Sequence, residues 1–342
     1  MKKWLWIIPA ACFLGFGLWL AKGLYAPFRG YSGRVIVLVQ PGETTPAVAE
    51  RLVRRGVLAY RMPFLIRYWL GRRRGETIKF GEYLFDHPLS ASEVYTKLAR
   101  GKVYEHSVVV PEGSDCFDMA QIYHAALGLD PRAFLAVTRV AAPIRDLDPE
   151  ASSLEGYLFP DTYRFPRGVP PAIIVNTMLA QFRRVFSRDI KPELPPSPEA
   201  LHNVMTLASM VEKETPDPAE RAKIAGVFSR RLKRGMLLES DPTVIYAIEA
   251  AQDSLPPFRG PITTVDLKFD SPYNTYVRAG LPPGPICSPG LASIQAALHP
   301  ASGKALYFVS NNHGGHMFAD TLAQHDRNVA RYRREKKRLH PR

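Results

Sequence analysis

LASMVEKET, residues 207–215, closes an apolar run that opens in SPEALHNVMT. Leu201, Val204, Met205, Ala208 and Val211 recur at three and four along it, which draws one inward helix face. Glu212 and Glu214 end the run, and Pro216 and Pro218 cannot continue a helix, so the spacing predicts a stop close to the acids. Carboxylates there face the negative pole of the helix dipole, an unfavourable place that marks them for chemistry. The plainer alternative makes them solvated surface acids paired with Lys213. Two residues apart on a helix, they point about 200° apart, so both cannot enter one cleft. Periodicity puts Glu212 on the stripe of Met205 and Ala208, and Glu214 on the face of Leu207 and Met210. It does not say which face is a groove.

Outward from this stretch the pattern is α+β. Downstream, AERAKIAGVFSRRLKRGM (219–236) reads as an amphipathic helix with Ile224, Val227, Phe228 and Leu232 inward and its arginines and lysines outward. LLESDPTVIYAI (237–248) breaks at Asp241-Pro242 and starts a new helix. SPYNTYVRAGLPPGPICSPG (271–290) is too rich in Pro and Gly for regular structure and suits a rigid loop lining a groove. A short helix (292–300), a buried-type strand (305–310), a Gly/His turn running into a helix (311–329) and a basic frayed tail complete the chain. Upstream, RVIVLV (34–39) and FGEYLF (80–85) read as strands. TPAVAERLVRRGVL (45–58) reads as a helix with Ala47, Val48, Leu52 and Val53 inward. Phe64, Leu65, Tyr68 and Trp69 belong to another helix, and Ser90 caps a third. The strand, Pro, Gly, helix order around Pro41-Gly42 returns at Pro111-Glu112-Gly113, which points to two related units in tandem.

A chain of 342 residues with 46% hydrophobic side chains has room for two domains with real cores, and its net charge of +13 favours an anionic partner. An uncharged run over 4–21, ended by Lys22 and flanked by Trp4, Trp6 and Trp19, reads as a membrane-spanning helix near the minimum length. No small-x-small cleavage site follows it, so a retained anchor is expected, with the N-terminus inside and the bulk of the chain outside. Cys116 and Cys287 are too far apart in sequence for a compact metal site and read as small semi-buried residues. His313, His316 and His325 invite a zinc reading, but no His-Glu-x-x-His helix supports it, and turn structure is the better role. No phosphate loop, dinucleotide fingerprint or nucleophile elbow is present, so no cofactor is expected. What remains is acid chemistry beside aromatic, turn-rich segments, which suits a sugar polymer. The anchor and the lack of any recognised motif speak against nucleic acid.

LEGYLFPDTY (154–163), LASMVEKET, SDPTVIYA (240–247), YNTY with AGLPPGPI and SPG (273–290), and YFV followed by GGHMFADTLAQH occur in this order. Together these blocks resemble the endolytic murein transglycosylases, single-pass membrane enzymes that cut nascent peptidoglycan strands. The resemblance implies an anchor over 1–22, a small LysM-like module over 32–105, a larger catalytic domain over 106–332 and a basic tail over 333–342. It implies a location in the cell inner membrane with the catalytic domain outside the cytoplasm, and peptidoglycan synthases as candidate partners. Carried over position by position, it makes Glu214 the catalytic acid. It makes Asp161, Asp241, Asn274 and Thr275 candidate groove residues, for each of which a turn or cap role competes. Glu212 then reads as a buried partner of an arginine. Two positions depart from the family pattern: Glu239 replaces a usual glutamine and Asp326 a usual asparagine. A lytic transglycosylase needs one acid/base group, because the substrate's own hydroxyl is the nucleophile, whereas a hydrolase needs two carboxylates. A hydrolase using Glu155, Asp161 or Asp241 as the second carboxylate, and a non-catalytic peptidoglycan-binding protein, are the competing readings.

Overall fold

The structure is a computed structural model that describes residues 4–197, 199–252, 255, 257 and 260–339, with side chains from 11 to 338. It is a mixed helix and strand fold in two units, Met1–His106 with Arg164–Gly168, and Ser107–Tyr163 with Val169–Arg342.

The first unit runs α1 (Trp4–Tyr25), β1 (Val35–Val39), α2 (Thr45–Arg54), α3 (Arg61–Arg72), β2 (Gly81–Phe85) and α4 (Ala91–Arg100). β1 and β2 pair antiparallel, Val35 opposite Phe85 and Val39 opposite Gly81. Two strands alone are barely stable in water. Val37, Val39, Tyr83 and Phe85 therefore pack on Val48 and Leu52 of α2, Phe64 of α3 and Val94, Tyr95 and Leu98 of α4. On α2 it is Ala49 that turns inward while Ala47 is exposed, and Trp69 of α3 is exposed as well. Ser90 caps α4 in a capping box with Glu93. Phe13, Leu14, Phe16 and Leu18 of α1 are exposed. Among the described residues no helix is long and apolar enough to cross a membrane. The expected anchor over 4–21 lies partly outside the residues whose side chains are described.

From His106 onward the chain runs β3 (His106–Val109), α5 (Cys116–Leu127), α6 (Pro131–Thr138), β4 (Thr162–Phe165), α7 (Pro171–Val185), α8 (Ala200–Glu214), α9 (Pro218–Lys233), α10 (Asp241–Gln252), α11 (Leu291–Leu298), β5 (Tyr307–Ser310), β6 (His316–Ala319) and α12 (Leu322–Leu339). The first five elements repeat the order of β1–α2–α3–β2–α4, and β3 pairs with β4 as β1 does with β2. α6 fills a stretch where periodicity shows nothing; Asp130 caps it, its carboxylate accepting the Arg132 N–H at 3.0 Å. α8 is the hub, packed against α9, α10 and α11. Residues Ala200 to Val211 of α8 are buried on nearly every side, as a central helix must be. The Ser209 hydroxyl accepts the Ile286 N–H at 3.0 Å, tying the Pro/Gly loop to α8. His202 ties the same loop from the other end of α8, bridging Asp148 at 2.9 Å and the Pro283 carbonyl at 3.0 Å. The segment expected as a Gly/His turn contains β6, which pairs antiparallel with β5, and β5 itself is only half-buried. Helix α12 continues through Leu339, into the stretch 331–342 that the sequence reads as a basic frayed tail.

Candidate active site

Helix α8 stops at Glu214 for a local reason. Thr215 is extended (φ −145°, ψ 133°), as a residue before proline prefers, and Pro218 opens α9 behind the Asp217 cap. Glu214 is thus the last helical residue, half-buried, at the negative end of α8. The Ser240 hydroxyl donates to its Oε1. Burial pushes the Glu214 carboxyl up to about 7; the Ser240 hydrogen bond opposes this and the charge of Asp241 adds to it. Glu214 therefore holds its proton near neutrality, and with Oε1 engaged by Ser240 its second oxygen is the one available to another molecule.

Ser240 is itself held on all sides. Its N–H donates to Thr275 Oγ1 at 3.0 Å, its carbonyl accepts the Thr243 hydroxyl at 2.6 Å, and the two threonine hydroxyls lie 2.9 Å apart. Asn274 stands beside this knot. Its amide donates to the Leu267 and Phe269 carbonyls at 3.1 and 2.8 Å, and its Oδ1 accepts the Tyr276 N–H at 2.9 Å. Asn274 and Thr275 are 0% and 1% exposed, so they shape the site from within and offer no surface to a polymer. Asp241 and Tyr276 form the outer rim. Asp241 is exposed at the start of α10 and accepts the Tyr276 hydroxyl at 2.6 Å. Burial, then that hydrogen bond, raise the Tyr276 phenol above its ordinary range, so it remains a donor. Asp161 lies apart from this group: its carboxylate caps its own turn, accepting the Thr162 N–H at 2.7 Å, and takes Gln181 Nε2 at 2.8 Å.

The other glutamates have different surroundings. Glu212 accepts Arg221 Nη2 at 3.1 Å and the Gly290 N–H at 2.9 Å, which joins α8 to α9 and to the start of α11. Arg221 and Arg231 are buried, although periodicity turns the cations of α9 outward; each is anchored by a glutamate. Lys213 turns away from both α8 acids toward Asp115 at 3.7 Å and Asp118 at 3.9 Å. Glu155 is 3% exposed, takes the Cys116 N–H at 3.0 Å and the Tyr246 hydroxyl at 3.4 Å, and is pushed up to about 8 by burial and then by Asp115. A carboxyl so enclosed and held neutral is a poor second carboxylate for a hydrolase. The histidines also go separate ways: His316 binds Glu220 at 2.6 Å, and His325 stacks on Tyr307 at 5.2 Å. Cys116 and Cys287 are buried thiols. Sequence reasoning missed Ser240 and Tyr276 as members of the site; Ser240 before Asp-Pro reads only as a helix start, and nothing local aims it at α8.

Comparison with known proteins follows the same segments. The model of the YceG-like family matches residues 37–331. An endolytic murein transglycosylase of Bacillus subtilis is 29% identical over 329 residues, covering 91% of this chain and 88% of the relative. One from Streptococcus pneumoniae is 27% identical over 336 residues, and this chain spans 58% of its length. The crystal structure of a YceG-like protein from Listeria monocytogenes superposes with a TM-score of 0.59 at 28% identity, over 87% of this chain and 99% of that one.

Proposed function

This chain belongs to the YceG-like family, and from that premise we propose that it is an endolytic murein transglycosylase with Glu214 as its single acid/base group. The observation that carries the reading is a carboxyl held protonated up to about 7, with one oxygen fixed by Ser240 and the other free beside the exposed Asp241–Tyr276 rim. The B. subtilis relative carries that activity in its name.

In this mechanism the free oxygen of Glu214 gives its proton to the glycosidic oxygen of a MurNAc–GlcNAc β-1,4 bond as the bond to C1 breaks. The carboxylate then takes the proton of the muramic C6 hydroxyl while that oxygen closes on C1. A 1,6-anhydro end forms, no water is consumed, and Glu214 returns to its starting state. The Ser240 hydroxyl supports the carboxylate between the two transfers. The product ends a growing strand. Asp241 and Tyr276 are the rim groups available to sugar hydroxyls, while Thr275 acts through Ser240 and Asn274 braces the turn that carries Tyr276. The enclosure of Glu155 removes it as the second carboxylate of a hydrolase; between Asp241 in that role and the substrate's own hydroxyl as nucleophile, the product ends decide.

The finer reading adds a membrane anchor in α1, supported by Phe13 and Leu14, which are 82% and 68% exposed and need an apolar surrounding. The first unit then serves as the LysM-like module beside the membrane, with peptidoglycan synthases as candidate partners. The test is mass spectrometry of the products from purified peptidoglycan strands, with the wild-type chain and Glu214→Gln. Internal fragments with 1,6-anhydro ends, absent with a folded Glu214→Gln, are expected. Reducing muramic ends would replace the transglycosylase with a hydrolase.

A further inference from the structure

Residue 239 has φ +53°, one of two non-glycine residues with positive φ among those described. An L side chain adopts this conformation only when its surroundings enforce it. Here three bonds do so. The backbone N–H of Glu239 donates to the Thr275 carbonyl at 3.2 Å. The next N–H, of Ser240, donates to Thr275 Oγ1 at 3.0 Å. The Glu239 carboxylate accepts Arg231 Nη1 at 2.9 Å. That one nitrogen also reaches the Leu237 and Leu238 carbonyls at 3.0 and 3.1 Å, so it grips three consecutive residues. Arg231 cannot drift, because its Nε donates to the Leu306 carbonyl at 2.7 Å and its guanidinium lies 5.1 Å from the centre of the Tyr307 ring. The residue directly after this enforced turn is Ser240, whose hydroxyl is the donor on Glu214.

We propose that Arg231 and Glu239 are a positioning pair for the reaction: their bond holds residue 239 in the left-handed conformation and so aims the Ser240 hydroxyl at Glu214. The pair acts through Ser240 and does not touch substrate. On this account the acid at 239, where the resembled family usually has glutamine, is not a second proton donor. Its carboxylate is spent on Arg231, a bond that a glutamine carbonyl also makes. The inference rests on Glu214 being the acid, and the experiment separates the two.

Full-chain Glu239→Gln, Glu239→Gly and Glu239→Ala are compared with wild type for kcat, KM and the pH dependence of kcat on purified peptidoglycan strands, with Tm alongside. Glutamine keeps the bond and is expected within about twofold of wild type. Glycine removes the backbone strain but also the latch. It is expected to hold Tm while kcat falls about tenfold, KM is unchanged and the alkaline limb moves to higher pH. The sign follows from the hydrogen bond: donation by Ser240 favours the Glu214 carboxylate, so its loss raises the pKa and keeps the acid protonated further up the scale. Asp241 and Tyr276 are the other ionisable groups facing Glu214; the Tyr276 phenol loses the nearby charge of Glu239 in all three variants alike, so Glu239→Gln controls for that loss. Alanine is expected to show the same kinetic change with a lower Tm. Wild-type kcat and pH limb in Glu239→Gly overturn the proposal, as does a Glu239→Gln that loses as much as the glycine variant, since the charge would then matter and not the bond. Activity in Glu214→Gln would remove the acid itself; a dead Glu214→Gln beside a normal Glu239→Gly would remove only the positioning pair.

Discussion

On one side of the last turn of α8, Glu212 meets a buried guanidinium at 3.1 Å and a backbone N–H at 2.9 Å. On the other side, Glu214 meets one hydroxyl and an open rim. Both are glutamates at the same unfavourable end of the same helix, so the helix dipole cannot distinguish them. Partners do. Glu212 is supplied with a cation and a donor, and spends its charge joining three helices. Glu214 is given too little to be comfortable as a carboxylate and so retains a proton that it can give away. Glu155 extends the contrast in the other direction: it too is held neutral, but at 3% exposure it has nothing outside the protein to give its proton to. A functional acid here needs both a raised pKa and a free oxygen at the surface.

Removing the functional side of that contrast should have the largest effect. Glu214→Gln should lower strand cleavage by about a thousandfold with Tm little changed; a folded variant with near-normal cleavage would break the contrast outright. Next, Glu212→Gln leaves buried Arg221 with the more distant Glu112 carboxylate at 3.8 Å as its counter-charge, and should cost about 3 kcal/mol in denaturant unfolding. Cleavage per folded molecule should stay within about threefold of wild type. If Glu212→Gln were dead while stable, the two acids would have to exchange roles. Glu155→Gln sharpens the comparison through pH. With its folded pKa raised to about 8, above the unfolded value, Glu155 binds its proton more tightly in the native state. Its contribution to stability is therefore present at low pH and lost as pH rises through the interval up to about 8, by no more than about 1.4 kcal/mol per pH unit. Unfolding curves at pH 5 and pH 8 should show the variant level with wild type at the acid end and more stable at the alkaline end. Equal curves at both would mean that Glu155 is not held protonated. The smallest effect belongs to Tyr276→Phe, which takes one donor from Asp241 and should lower kcat/KM by about threefold without moving the alkaline limb.

Much of α8 is legible because periodicity reports burial, and the positions at 201, 204, 205, 208 and 211 are all inside. The irregular loop 271–290 is legible because Pro and Gly forbid alternatives. What periodicity does not carry is pairing. It turns Arg221 and Arg231 outward because an unpaired cation belongs in water, and only the fold brings Glu212 and Glu239 to them. It makes Asn274 and Thr275 look like polar groove residues, although the hydrogen bonds that let them be buried come from segments at least 30 residues away for Thr275 and from the local turn for Asn274. The choice between Glu212 and Glu214 lies in the same gap, and it came from the resemblance to a family and not from the helix.

The first unit is not continuous in the chain: it takes Met1–His106 and then Arg164–Gly168. In that returning segment Arg167 lies 3.7 Å from Glu82. On a ribosome, where residues emerge in order, the core of this unit, all of it between residues 31 and 103, emerges before the unit's last segment exists. The segment 164–168 joins it only after residue 168 has been made, later than α5 and α6 of the other unit. The two units are therefore interleaved in time as well as in sequence, and a fragment cut at residue 106 would lack a piece of the unit that it was meant to isolate.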